Sequence, residues 1–93
     1  MSILIDPPLF PGHGRMWSHV SSDTSMAELH AFARLAGIPE RAFDRDHYDV
    51  PSGWYEQMLA AGARPVSSRD LVAALRAAGL RTPKPSAHLR AAS

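Results

Sequence analysis

Residues 25–38 read Ser-Met-Ala-Glu-Leu-His-Ala-Phe-Ala-Arg-Leu-Ala-Gly-Ile, and this stretch is central to the fold because it predicts the clearest helix. Ser25 and Glu28 have the spacing of a capping box, which satisfies free N–H groups at a helix start. One apolar face follows at helical spacing, formed by Leu29, Phe32, Ala33 and Ala36. Gly37 suits the left-handed residue that ends a helix, and Ile38 supplies the accompanying apolar contact.

A short strand is predicted before this helix. Residues 3–5, Ile-Leu-Ile, are apolar, and Asp6-Pro7-Pro8 closes them because proline cannot continue a hydrogen-bonded ladder. Residues 7–22 contain three prolines and two glycines beside Phe10 and Trp17. We interpret them as a long ordered loop, or as a loop that holds one helical turn around residues 16–20. Since an exposed tryptophan leaves a large apolar surface in water, we expect Trp17 to pack inward.

Further elements follow the helix. Residues 39–43 suggest a helical turn, and residues 42–50 suggest a single strand with a polar end near position 47. A second helix is predicted from residue 52 or 53 to 62, and a very short strand over residues 65–67. The last helix begins with a capping box at residues 67–70 and ends at residue 79.

The alternation of strands and helices predicts a small single α/β domain with a short, mainly parallel sheet of about three strands and three helices. Parallel sheets bind ligands beyond the carboxyl ends of their strands, which here are Asp6, residues 47–49 and Ser67. We expect this domain to occupy residues 1–81 and a flexible tail to occupy residues 82–93.

Composition limits the classes of function. Ninety-three residues, 45% of them hydrophobic, suffice for one core, and the absence of cysteine excludes disulfides and thiolate metal sites. A formal net charge of +1 gives no sign of a nucleic-acid or membrane partner. Without a basic, apolar leader at its start, the chain is expected to be soluble and cytoplasmic. Its Ala-rich helix faces allow a homodimer.

An ordered set of short motifs spans residues 3–80. It comprises Ile3-Leu-Ile-Asp-Pro-Pro, Trp17-Ser-His, Ser22-Asp, Glu28-Leu-His-Ala-Phe-Ala, Gly37-Ile, Asp46-His-Tyr-Asp, Ala61-Gly-Ala and Pro65-Val-Ser. In these motifs the chain resembles domain of unknown function 4031, a family of bacterial and phage proteins. The resemblance implies no particular activity, but it marks six polar residues as part of the family pattern: Asp6, His19, Asp23, His30, His47 and Asp49.

Histidine and carboxylate side chains in a chain without cysteine suit a divalent metal, zinc or manganese. The candidate ligands are His19, His30, His47 and Asp49. In an extended strand His47 and Asp49 project to the same side, because side chains alternate with period 2. His30 would lie at the border of the helix's apolar face. We expect residues 7–22 to fold over the strand ends and to place His19 opposite His47.

Two classes of function fit these residues. The first is a metal-dependent hydrolase acting on a phosphate-containing or nucleotide-like small molecule, with His47, Asp49 and His19 as catalytic residues. Its ligand contacts would come from Asp6, Arg15, Trp17, Asp23 and Arg45. If the enzyme uses no metal, Asp49 would orient His47 for acid–base chemistry. The second class is a non-catalytic module that binds a ligand or partner.

Each candidate also has a structural interpretation. His30 suits a core-border histidine bonded to a carbonyl, and His19 suits a loop anchor. Asp23 suits a helix cap, and Asp6 suits a turn before the double proline. The sequence leaves open whether the protein is an enzyme.

Overall fold

A computed structural model describes residues 2–81 of the chain. Within these residues there are six strands: β1 (Ile3–Ile5), β2 (Phe10–Gly12), β3 (Arg15–Ser22), β4 (Phe43–Asp44), β5 (His47–Pro51) and β6 (Arg64–Pro65). The three α-helices are α1 (Met26–Ala36), α2 (Tyr55–Ala60) and α3 (Ser68–Ala77), and 3-10 turns cover Glu40–Ala42 and Ser52–Trp54. The predicted tail, residues 82–93, lies outside the described residues.

The six strands form one mixed sheet in the order β4-β5-β3-β1-β6, and β2 also pairs with β3. Only β1 and β6 are parallel, whereas the other pairs are antiparallel. The small α/β domain with three helices is therefore confirmed, but the expected three-stranded, mainly parallel sheet is wrong. Two hairpins with two-residue turns supply two of the antiparallel pairs, β2 with β3 and β4 with β5, because so short a connection joins only antiparallel strands.

The first hairpin replaces the long loop expected over residues 7–22. β2 and β3 pair in the register Phe10↔Trp17 and Gly12↔Arg15. The turn between them uses His13 and Gly14, whose φ angles of 50° and 74° are both left-handed, as a two-residue turn of the type I′ class requires. Pro11 is tolerated because an edge strand leaves some of its N–H positions unused.

The second hairpin replaces the single strand expected over residues 42–50. β4 and β5 pair in the register Asp44↔His47, with Arg45 and Asp46 in the turn. Arg45 has a φ of 58° there. The predicted single strand is therefore two short strands, because Arg45 and Asp46 reverse the chain between them.

The main core lies on one face of the sheet, which carries α1 and α2. It includes Ile5, Val20 and Val50 from the strands, Leu29 from α1 and Met58 from α2, all fully buried. The helices follow their sequence signals. Ser25 caps α1 by accepting a hydrogen bond from the Glu28 N–H at 3.1 Å, and Gly37 ends it with a φ of 78°.

The opposite face of the sheet is only partly covered. Leu4 packs there against Leu71 and Leu75 of α3 in a second, smaller cluster. Ser67 caps α3 by accepting a hydrogen bond from the Asp70 N–H at 3.0 Å, as predicted. Because α3 covers only part of this face, His19 of β3 and Asp49 of β5 stay partly exposed on it.

The left-handed turn of the first hairpin gives a test of the fold. Replacing Gly14 by alanine is expected to lower the free energy of unfolding by about 1 kcal/mol, because a side chain disfavours a φ of 74°. Gly53→Ala is the matched control, since its φ is not left-handed and nothing lies within 4 Å of the added carbon. Urea unfolding of both variants measures the difference, and equal stabilities would contradict the hairpin geometry.

No helix among residues 2–81 is both long and apolar enough to cross a membrane. The cytoplasmic location and the homodimer stay predictions.

Candidate metal centre

Three polar side chains of β3 and β5 meet on the open face of the sheet. His19 of β3 is the register partner of Asp49 in β5. Since side chains alternate along a strand, His47 projects to the same side as Asp49, while Tyr48 and Val50 enter the core. One nitrogen or oxygen atom from each of the three residues lies within 4.8 Å of the other two. We call His19, His47 and Asp49 the His–Asp group.

Within the His–Asp group, the Asp49 carboxylate faces one nitrogen of each imidazole ring. Its Oδ1 lies 3.3 Å from His47 Nε2 and 3.9 Å from His19 Nε2. The two rings meet edge to face with centroids 4.8 Å apart, so His19 lies opposite His47 as expected from the sequence. The exposed side-chain fractions are 27% for His19, 11% for His47 and 39% for Asp49, so the group opens on the Asp49 side.

Each imidazole is oriented by a buried carboxylate on its other nitrogen. Asp6 Oδ2 lies 2.8 Å from His19 Nδ1, and Asp46 Oδ1 lies 2.8 Å from His47 Nδ1. An ionised carboxylate only accepts hydrogen bonds, so Nδ1 carries the proton in both rings. In the neutral imidazoles the Nε2 lone pairs therefore face Asp49. The hydrogen bond to Asp6 raises the pKa of His19 despite the opposing effect of burial.

The ends of α3 hold these two carboxylates. At its start, the Ser68 hydroxyl donates to Asp6 Oδ2 at 3.1 Å. Beyond its end, Arg81 donates from Nε to one oxygen of Asp46 at 2.7 Å and from a terminal nitrogen to the other at 2.9 Å. Burial acts to raise the pKa of Asp46, but hydrogen bonds from Arg81 and His47 outweigh it and lower the pKa to about 2. Asp46 is therefore ionised at neutral pH.

The charge and spacing of these residues suit a divalent cation. Three carboxylates (Asp6, Asp46, Asp49) and one guanidinium (Arg81) give a formal charge of −2 when both histidines are neutral. Ligand atoms that share one ion at bond lengths of about 2.1 Å are about 3.4 Å apart in a tetrahedral site. The separations of 3.3 and 3.9 Å from Asp49 Oδ1 are close to that value.

A cavity of about 550 Å³ adjoins the His–Asp group, and we call it the aromatic cavity. Its walls come from the first hairpin and from the segments flanking β5. They include Phe10, Trp17 and Trp54 as aromatic residues, His13, Arg15 and Arg41 as basic ones, and His19 and Asp49 of the His–Asp group. The ring of Phe10 lies 4.4 Å from that of His19 between centroids, so the cavity and the His–Asp group are continuous.

The structure brings some predicted site residues together and separates others. Asp6 joins the site as the partner of His19, and Arg15 and Trp17 line the aromatic cavity. The half-buried Trp17 ring donates from Nε1 to the Gly12 carbonyl at 2.7 Å, which fixes it against its own hairpin.

His30 does not join the other three candidate metal ligands. Its Nδ1 lies 2.7 Å from the Tyr48 hydroxyl, and its ring packs on Phe43 at 4.8 Å. Tyr48 projects into the core, so His30 is on the opposite face of the sheet from the His–Asp group. The candidate metal ligands are therefore three and not four.

Asp23 and Arg45 also lie away from the site. The Asp23 carboxylate accepts hydrogen bonds from the Ser2 N–H at 2.7 Å and the Thr24 hydroxyl at 2.8 Å, a local role at the entry to α1. Arg45 is in the turn of the second hairpin with a side chain 75% exposed, 3.9 Å from Asp44.

Sequence reasoning missed four residues that build the site: Ser68, Arg81, Asp46 and Arg41. Asp46 is next to His47 in the sequence, and the alternation of side chains along a strand predicts that the two project to opposite sides. This prediction fails because Asp46 is in a turn and not in a strand. The sequence around Arg81 does not indicate its role, because its partner Asp46 lies 35 residues earlier. Arg41 and Trp54 are brought to the cavity by 3-10 turns on either side of the second hairpin.

Comparison with known proteins places the chain in a family. A family model described as a protein of unknown function (DUF4031) matches residues 3–78. No curated protein and no solved structure matches the chain. The matched range includes the His–Asp group with Asp6 and Asp46, whereas Arg81 lies just beyond it. The chain belongs to the DUF4031 family of proteins of unknown function.

Proposed function

We propose that this protein is a metal-dependent hydrolase that binds one zinc or manganese ion at the His–Asp group and acts on a phosphate-containing small molecule. The observation that carries the proposal is the orientation of the two imidazoles. Each has Nδ1 on a buried carboxylate and Nε2 beside Asp49 Oδ1, at 3.3 Å for His47 and 3.9 Å for His19. When both imidazoles are neutral, three acceptors converge in this way, and a cation between them would offset their mutual repulsion.

The supporting carboxylates are the partners that metal-binding histidines usually have. Histidines that bind metals generally donate their other ring N–H to a carboxylate or carbonyl, which fixes the tautomer and increases ligand basicity. Both histidines of the His–Asp group have such a partner. Three protein ligands also leave coordination positions free, as catalytic metal sites require. The partly exposed Asp49 borders the open side, where a substrate would enter.

Hydrolysis is the reaction that fits a site of this kind. A divalent ion would polarise the substrate and lower the pKa of a bound water. The water oxygen would form a bond to phosphorus while the phosphorus–oxygen ester bond breaks. One water proton would end on the leaving oxygen and the other would stay with the released phosphate.

Basic side chains beside the His–Asp group support an anionic substrate. Arg15, Arg41 and His13 line the aromatic cavity, and among residues 2–81 Asp49 is the one acidic residue of its lining. Guanidinium groups match the geometry of phosphate oxygens with paired hydrogen bonds. A phosphate ester entering this cavity would be attracted by the arginines and would meet the His–Asp group.

A metal-free role is the alternative. The distance of 3.3 Å between His47 Nε2 and Asp49 Oδ1 also suits an ion pair with a protonated imidazole. In that case the two residues would act as an acid–base pair or as polar contacts of a non-catalytic ligand-binding module.

Metal titration of the purified protein separates these functions. After dialysis against EDTA, we expect calorimetry to show one Zn²⁺ or Mn²⁺ ion bound per chain, tighter than about 10 µM or about −7 kcal/mol. Hydrolysis of p-nitrophenyl phosphate and of its bis-aryl diester should then depend on the added ion. Absence of binding for both ions at millimolar concentration would overturn the metal site. Metal-independent hydrolysis would instead support the acid–base pair.

A further inference from the structure

We infer that the aromatic cavity takes a ligand that carries both an aromatic ring and a phosphate group, as a nucleoside monophosphate does. This inference rests on the proposed function, because it places the phosphate near the His–Asp group, and it adds the part of the ligand that is not hydrolysed. The argument comes from the wall of the cavity, its charge and its size.

The wall presents aromatic rings immediately beside the His–Asp group. Phe10 contacts the His19 ring at a centroid distance of 4.4 Å, and Trp17 is the register partner of Phe10 in the first hairpin. The hydrogen bond from Trp17 Nε1 to the Gly12 carbonyl holds the indole in place before any ligand arrives. Trp54 lines the same cavity from the segment after β5. A planar ring that stacks on such residues gains about 1–3 kcal/mol.

The charge around this wall selects an anion. Arg15 and Arg41 belong to the first hairpin and to the 3-10 turn after α1, so the cavity has an arginine from each of two separate segments. A neutral aromatic ligand would leave both guanidinium groups unused. A bare phosphate would leave the rings Phe10, Trp17 and Trp54 unused. A ligand that carries both an aromatic ring and a phosphate group would contact the aromatic rings and the arginines together.

The size of the cavity sets an upper limit on the ligand. Cavities for small molecules span about 300–1,000 Å³, and the aromatic cavity has about 550 Å³. That volume suits a mononucleotide or an aryl phosphate of similar size. The formal charge of the chain is +1, so little attraction extends beyond the cavity to a long nucleic acid.

Tryptophan fluorescence provides a direct test, because Trp17 and Trp54 are the only two tryptophans of the chain and both line the cavity. We propose titrations with adenosine 5′-monophosphate, adenosine, ribose 5-phosphate, phenyl phosphate and inorganic phosphate. Adenosine 5′-monophosphate is expected to change the fluorescence with a Kd at least about 10-fold below those of adenosine and ribose 5-phosphate, equal to about 1.4 kcal/mol. Phenyl phosphate separates a nucleotide preference from a general preference for aryl phosphates.

Two variants show which residue of the cavity binds the ring of the ligand and which binds its phosphate. Trp54→Leu should remove the advantage of adenosine 5′-monophosphate over ribose 5-phosphate, and Arg41→Gln should remove its advantage over adenosine. Arg34→Gln, on the exposed side of α1 and outside the lining of the cavity, is the matched control and should bind as the native protein does. Circular dichroism verifies that each variant is folded.

Each titration is run with EDTA and again with Zn²⁺ or Mn²⁺, so that two failures can be distinguished. Binding of adenosine 5′-monophosphate no tighter than that of both fragments, in a protein that binds the metal, would overturn this inference and leave the metal site standing. Ring-and-phosphate selectivity in a protein that binds no metal would support the cavity assignment and overturn the proposed hydrolase.

Discussion

Replacing His47 by asparagine is expected to abolish metal binding and leave the protein folded. The amide N–H of asparagine can take the place of Nδ1–H and keep the hydrogen bond to Asp46, which is 2.8 Å long in the native protein. It has no atom at the position of Nε2, which faces Asp49. We expect the metal affinity to fall by more than about 100-fold, because the loss of a ligand exceeds the 10–100-fold effect of losing a supporting partner.

The same substitution on the other face of the sheet is the matched control. His30 is also a histidine bonded through Nδ1, but it is half-buried and its partner is the Tyr48 hydroxyl. His30→Asn should bind Zn²⁺ or Mn²⁺ as the native protein does. Calorimetry measures the affinity and thermal unfolding measures stability. If His47→Asn binds metal like the native protein, or if both variants lose it equally, the ligand assignment fails.

Local signals predicted the helices well, since caps and apolar spacing depend on residues a few positions apart. The Ser25 cap, the Gly37 end and the Ser67 cap all appear as expected. The period-2 rule likewise predicted that His47 and Asp49 share one side of a strand. The expectation that His19 lies opposite His47 is also confirmed, but its basis, a loop folded over the strand ends, is replaced by pairing between β3 and β5.

The sheet was harder to predict because its pairing depends on two tight turns, one in a segment whose prolines favour a loop and one in a segment that resembles a single strand. The prolines of residues 7–22 favour a loop, although Pro11 fits an edge strand. The available signal was Gly12-His13-Gly14 followed by the alternation of Arg15, Trp17 and His19, which a hairpin explains. His30 was ambiguous in principle, because a residue at the border of a helix's apolar face can point to either side of the sheet.

Replacing Arg81 by alanine is the second change with a large expected effect. Arg81 makes two hydrogen bonds to Asp46, whose side chain is only 8% exposed. Removing one partner of a buried ion pair leaves a charge without compensation and costs about 3–5 kcal/mol. The Arg81 side chain is 29% exposed, so water compensates in part. We therefore expect the free energy of unfolding to fall by about 2 kcal/mol, the scale of hydrogen bonds to charged groups.

The same change should weaken metal binding by about 10–100-fold, because Asp46 orients the His47 ring. Arg76→Ala, on the exposed side of α3, is the control for helix effects and should change neither property. Ser68→Ala tests the other end of α3, where Asp6 retains its bonds to His19. A smaller loss of affinity is expected there than for Arg81→Ala.

A double-mutant cycle shows whether Arg81 acts on the metal through Asp46. If it does, Asp46→Asn already removes the carboxylate through which Arg81 orients His47. Adding Arg81→Ala to that variant should then cause little further loss of metal affinity. Additive losses would mean that Arg81 influences the metal by its charge alone, and an unchanged affinity in Arg81→Ala would contradict the positioning role. Stability and affinity are measured on the same samples. A purely structural arginine would lower the free energy of unfolding and leave the affinity of the folded protein unchanged, whereas an arginine that positions His47 through Asp46 lowers both.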